Sequence, residues 1–134
     1  MTPSIVWGIG VGLLIALVDA VTTFLTARES PPALPISEIN IMLNVALYTL
    51  IGFRVGKETG LVRDAAEGTV LAGFVVSAIG IGFLLLLKPA VGGIDSTMDM
   101  VAILAQNVAL GGLIGIVSGW MGSRVGQEGS NSRF

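Results

Sequence analysis

Apolar residues fall in four long runs, and the stretches between them hold most of the charges and prolines. Crossing a bilayer core takes about 20 mainly apolar residues in a helix. Three of the runs meet that length on sight. The first extends from Ser4 to Ala27 and ends before Arg28-Glu-Ser-Pro-Pro-Ala-Leu-Pro35, whose prolines keep the backbone out of a helix. The third covers 65–88, with Lys88-Pro89 as its expected stop. The fourth covers 97–122, and Ser96 with Asp99 just ahead of it has capping-box spacing. Residues 1–123 thus read as one transmembrane domain, and 124–134 as a short polar tail.

The second run is shorter. Its uncharged part, Ile39 to Phe53, is 15 residues, about 22 Å at 1.5 Å per residue, a length that also suits a re-entrant segment. An internal repeat decides the matter. Asn44-Val-Ala-Leu-Tyr-Thr-Leu-Ile-Gly-Phe-Arg-Val-Gly56 aligns without gaps on Asn107-Val-Ala-Leu-Gly-Gly-Leu-Ile-Gly-Ile-Val-Ser-Gly119. Since the fourth run is long enough to span, its counterpart over 38–57 is expected to span too, with Arg54 and Lys57 snorkelling at one end. The expected fold is an all-α membrane protein, a four-transmembrane-helix bundle, and the repeat suggests two parallel helical hairpins about an axis along the membrane normal.

At 100° per residue, Ser4, Gly8, Gly12, Ile15, Asp19, Thr22, Thr23 and Thr26 share a stripe of helix 1. Asn40, Asn44 and Tyr48 share one on helix 2, Gly73, Ser77 and Gly80 on helix 3, and Asn107, Gly111, Ser118 and Gly122 on helix 4. Lipid contact favours large apolar side chains, so these are the expected packing faces. Gly52-xxx-Gly56-xxx-Gly60 and Gly111-xxx-Gly115-xxx-Gly119 repeat glycine at every fourth position, the spacing that lets helix backbones approach. The expected packing glycines are Gly8, Gly12, Gly52, Gly56, Gly73, Gly111, Gly115 and Gly119.

Composition agrees with the pattern: 53 % of the 134 residues are hydrophobic and only 12 % charged, against about a quarter charged in soluble domains. A net charge of −2 and the lack of a basic stretch argue against a nucleic-acid partner. The first run has no basic segment ahead of it and is interrupted by Asp19, so it reads as a retained helix and not as a cleaved signal. With four spans, both termini share a side with the 2–3 connection. That side carries Arg54, Lys57, Arg63, Arg124 and Arg133, against Arg28 and Lys88 opposite. The positive-inside rule then puts both termini in the cytoplasm, and a bacterial inner membrane is the expected location.

Asp19 is the residue that demands a chemical reason, because intramembrane carboxylates are costly and commonly mark proton or ion pathways. No Lys, Arg or His shares its depth. It is therefore expected to be protonated, paired through another subunit, or in contact with water. Counting from the terminal side, Asp19 lies about 22 Å along helix 1, Asn44 about 18 Å, Asn107 about 22 Å and Ser77 about 17 Å along theirs. One polar layer of Asp19, Thr22, Thr23, Asn44, Ser77 and Asn107 is expected, dry and satisfied as a structural strut, with a proton or ion site as the alternative.

Other chemistry is thin. Asp64 and Glu67 are expected to open helix 3 and complement its dipole, and Asp95 and Asp99 to do the same for helix 4. Gly115-Ile-Val-Ser-Gly119 has a serine but the chain has no histidine to act as its base, and Lys57 and Lys88 sit at helix ends. Without His or Cys the usual ligands of haem, zinc and copper are missing. No metal or cofactor is expected, although a lipid or pigment held by packing alone would leave no motif. The sequence favours a non-catalytic accessory or scaffold subunit of a larger membrane complex, with membrane lipids and other integral subunits or further copies of itself as partners. The alternative is a small oligomeric proton-coupled transporter or channel using Asp19.

Overall fold

A computed structural model describes residues 2–28, 36–91 and 97–131, with side chains over 2–25, 38–86 and 97–131. Ser96, Asp95 and the side chains of Thr26, Arg28 and Lys88 lie outside the described residues. The described chain is four helices: α1 (Pro3–Arg28), α2 (Ile36–Thr59), α3 (Val62–Val91) and α4 (Thr97–Asn131). Each contains a segment of at least 22 residues long and apolar enough to cross a membrane. The chain is a multi-pass integral membrane protein built as a four-helix bundle.

Local chemistry accounts for the helix ends. Pro3 takes the first helical position of α1, where its missing N–H is no loss, and the Thr2 carbonyl accepts from Ile5 and Val6. Gly60 ends α2 with φ +73°, a left-handed conformation that glycine adopts without steric cost. Its N–H donates to Gly56 at 2.8 Å, and the Thr59 hydroxyl receives the Leu61 N–H at 3.2 Å. Gly60 therefore serves the turn, and a Cβ there would meet nothing within 4 Å.

Three helix ends differ from the sequence reading. α3 starts at Val62, so Glu67 lies beyond the first turn and accepts from Arg63 Nε at 2.9 Å, while Asp64 stays in that turn. At its other end α3 runs through Pro89 to Val91. Proline withholds only the N–H that Leu85 would have received, a loss confined to the last turn. α4 continues through most of the expected tail to Asn131. Its glycine spacing explains this: a Cβ at Gly126 would lie 2.6 Å from the Lys57 carbonyl, and one at Gly122 would run into that of Phe53. The extension lies along the end of α2.

In cross-section α3 packs most extensively on α4, α2 on α4 and α1 on α3, with lesser α1–α2 and α2–α3 contacts. α1 and α4 stand at opposite corners and do not touch among the described residues. Residues 63 apart in sequence face one another. A Cβ at Gly8 would lie 3.2 Å from that of Leu71, one at Gly12 3.3 Å from that of Val75, one at Gly52 3.1 Å from the Cα of Gly115, and one at Gly56 2.9 Å from that of Gly119. Facing equivalents across parallel helices are what a repeat axis along the membrane normal produces. The symmetry is broken where α2 touches α3 and α1 stays clear of α4.

Burial divides the bundle in two. The buried residues lie at or before Ala16 in α1 and Ser77 in α3, and at or after Tyr48 in α2 and Gly111 in α4. All belong to the half nearer the termini. There glycine, alanine, serine and threonine let the backbones meet around Val11, Ile15, Tyr48, Ile51, Val55 and Val76. Toward the other side, where α1 ends and α2 begins, no described residue is buried, and Gly80 and Gly82 face open space. Large side chains such as Phe24, Met42, Leu86 and Met98 are exposed there. The bundle is closed at its terminal end and splayed at the other.

Candidate functional site: an intramembrane carboxylate crevice

The polar layer sits where the closed half gives way to the open one. Gly8 and Gly12 bring α1 close to α3, the last buried residue of α1 is Ala16, and Asp19 follows three residues later. Asp19 Oδ1 accepts from Asn44 Nδ2 at 2.8 Å and from Asn40 Nδ2 at 2.9 Å. Asn40 and Asn44 are one helical turn apart, so both amides reach the same oxygen from a single face of α2. Thr22 returns its hydroxyl proton to the Val18 carbonyl at 2.7 Å and lies 3.4 Å from Asn40 Oδ1. Thr23 bonds back to the Asp19 carbonyl at 2.8 Å.

A second polar pair stands across the bundle. Asn107 Nδ2 donates to Ser77 Oγ at 3.1 Å, and Ser77 donates in turn to the Gly73 carbonyl at 2.8 Å. The two repeat-related amides therefore do parallel things: Asn44 reaches α1 of its own hairpin, and Asn107 reaches α3 of its own. They do not converge on a single acceptor. What links the pairs is a half-open cavity of about 230 Å³, bordered by Asp19, Thr23, Asn40 and Asn107 and walled by Val76, Phe83 and Leu84 among others. Gly80 borders it as well, where the sequence put it on a packing face. The absence of a side chain at Gly80 keeps the cavity open.

Two residues were under-read in the sequence. Asn40 shares the stripe of Asn44 and Tyr48 and stands outside the expected layer, yet it donates to Asp19. Tyr48 is 1 % exposed and its ring packs on Gly111, where a Cβ would lie 3.2 Å from Cε1. Its hydroxyl and Asn44 Oδ1 are buried without a hydrogen-bond partner among the described atoms, a costly state in hydrocarbon. Asn44 holds Asp19 and Tyr48 lies one helical turn further along α2, so the layer continues inward from Asp19.

The glycines expected to pack all meet neighbouring helices. A Cβ would lie 2.6 Å from the Gly68 carbonyl at Gly8, 3.1 Å from Ala72 Cα at Gly12 and 2.7 Å from the Asn107 carbonyl at Gly73. At Gly111 it would lie 2.7 Å from the Thr69 carbonyl, at Gly115 it would strike the Thr69 side chain, and at Gly119 that of Ala65. At the terminal end Arg54 stands 5.9 Å from the Trp7 ring centroid and Arg124 4.4 Å from that of Trp120. Such pairs suit the headgroup level, where tryptophan and basic residues gather.

The arrangement offers one carboxylate, two side-chain amides and a hydroxyl to a half-open space, with no lysine or arginine on its wall among the described residues. Chemically it can hold a proton, or a positively charged or hydrogen-bond-donating guest. Compared with protein-family models, with curated proteins and with solved structures, the chain shows no match.

Proposed function

We propose that the chain is a small transporter or channel, working as an oligomer, whose coupling residue is Asp19. The observation that carries this reading is the cavity: a carboxylate held by two amides borders a space of about 230 Å³ within the span of the helices. A strut would need no such space. Intramembrane carboxylates facing a cavity are the usual proton and ion sites, and the closed terminal half supplies a barrier below it. In this reading the chain works by binding, without bond-breaking chemistry, and its termini face the cytoplasm of a bacterial inner membrane, as the arginine and lysine bias supports. In proteoliposomes under a pH gradient, the protein should carry a proton flux that Asp19→Asn abolishes while leaving the fold intact. Equal flux from the Asn variant would refute the role of Asp19.

A second reading, an accessory or scaffold subunit, is favoured by a different observation. Asp19 Oδ1 already accepts two amide hydrogen bonds, and Gly52 and Gly56 of α2 lie close against Gly115 and Gly119 of α4. Such a bundle would serve as a rigid packing unit among other integral subunits. Purification in native lipid separates the two: a stoichiometric complex supports the subunit, and flux by the lone protein supports the transporter.

A further inference from the structure

The Asp19 cavity does not stand alone. Ala20 and Phe83 border both it and a wholly apolar groove of about 390 Å³ that runs along α1 beside Leu17, Val21, Phe24 and Leu25. Polar pocket and apolar groove meet at the smallest side chain on that wall, Ala20. The pocket also has a chemical polarity. Asn40 and Asn107 each commit an amide N–H within the layer, and Thr23 commits its only hydroxyl proton to the backbone. The wall carries a carboxylate and, among the described residues, no basic side chain, and both amides bring a carbonyl oxygen to the layer. An anion would meet the carboxylate unpaired. A dehydrated divalent cation takes 6–8 oxygens, more than Asp19, Asn40, Asn107 and Thr23 supply beside Val76, Phe83, Leu84 and Ile103.

We infer that the pocket and groove together bind an amphiphile with a primary ammonium head, its head donating to Asp19 and the Asn carbonyls and its alkyl chain lying in the α1 groove. The ammonium supplies up to three N–H donors and the positive charge that the acceptors lack. Its chain covers Leu17, Val21 and Phe24, which the open half of the bundle leaves exposed or half-covered. Access is sideways from the lipid, past Phe83. This assignment deepens the transporter reading, because it names the guest of the same carboxylate.

The test uses the full chain in phosphatidylcholine nanodiscs, following the side-chain amide resonances of Asn40 and Asn107 by NMR as ligand is added. Dodecylammonium should shift both saturably and bind at least about tenfold more tightly than dodecanol or dodecyl sulfate. Asp19→Asn should weaken it by about tenfold or more, and Ala20→Trp, which obstructs the groove, should weaken dodecylammonium more than butylammonium. Similar binding of the three dodecyl compounds by the unaltered protein would overturn the assignment, and that comparison stands even if a variant fails to fold. Repeating the titration with phosphatidylethanolamine in the disc identifies the source of the head: competition points to an amine-headed lipid, its absence to a free amphiphile. Proton flux without alkylammonium binding would sink this inference alone. Binding without flux would sink the transporter reading alone.

Discussion

Replacing Gly56 by leucine is expected to destabilise the bundle by about 3 kcal/mol, the upper end of the usual range for overpacking. A Cβ at this position would lie 2.9 Å from the Cα and 3.0 Å from the carbonyl carbon of Gly119, and would strike its carbonyl oxygen. These are backbone atoms of a facing helix, so no rotamer change relieves the clash. α2 and α4 must separate, and the separation propagates to Ala65, against which Gly119 packs. Gly10→Leu is the matched control, because a Cβ at Gly10 meets nothing within 4 Å. Reversible unfolding in mixed micelles should show a large loss for Gly56→Leu and almost none for Gly10→Leu. Equal effects would mean that the close approach of α2 and α4 carries no stability.

The second large effect concerns the carboxylate. Asp19→Leu removes the shared acceptor of Asn40 and Asn44 and leaves two amide N–H groups to find partners inside the membrane. At about 1–3 kcal/mol for each stranded donor, the loss could reach about 2–6 kcal/mol. The lower part of that range is the expected one, since membrane hydrogen bonds measure weak when alternatives exist and the adjoining cavity lets the amides turn toward it. Asp19→Asn keeps a carbonyl oxygen where Oδ1 stands, and both donors keep an acceptor. It should cost less than about 1 kcal/mol by the same unfolding measurement. An Asn variant as damaged as the Leu variant would show that the negative charge, and not the acceptor, holds α1 to α2.

Much of this was legible in the sequence, for reasons that can be stated. Hydrophobic run length finds membrane helices because the bilayer leaves the backbone no alternative. The gapless match of 44–56 on 107–119 identified α2 as a span, and those very residues face each other at Gly52–Gly115 and Gly56–Gly119. Asp19 and Asn44 were brought together by depth alone, because straight helices of known rise make depth readable. Depth does not give azimuth. A shared layer therefore did not say which of its members bond: Asn107 bonds Ser77 and meets Asp19 only across the cavity.

The splaying of the bundle was not legible either. Gly80 follows Gly73 and Ser77 at helical spacing and reads as one more packing residue, yet it faces open space. Whether a glycine admits a neighbour or leaves a gap depends on the helix opposite, which the sequence of one helix does not contain. Gly60 illustrates the same point at a helix end, where it extends a glycine run by spacing and serves a turn by conformation. The extension of α4 was hidden by its polar composition, and became helix through Gly122 and Gly126 lying against α2.

In the proposed transporter, the layer around Asp19 is open to polar solutes on one side of the membrane and closed from the other. The chain has no cysteine, so a single substitution reports without background, and a Cβ at Gly80 has room. Gly80→Cys in proteoliposomes should react with a charged, membrane-impermeant thiol reagent applied to the side where α1 ends and α2 begins, and not with reagent applied to the side of the termini. Failure to react from either side would rule out such access and leave Asp19 a dry strut between α1 and α2.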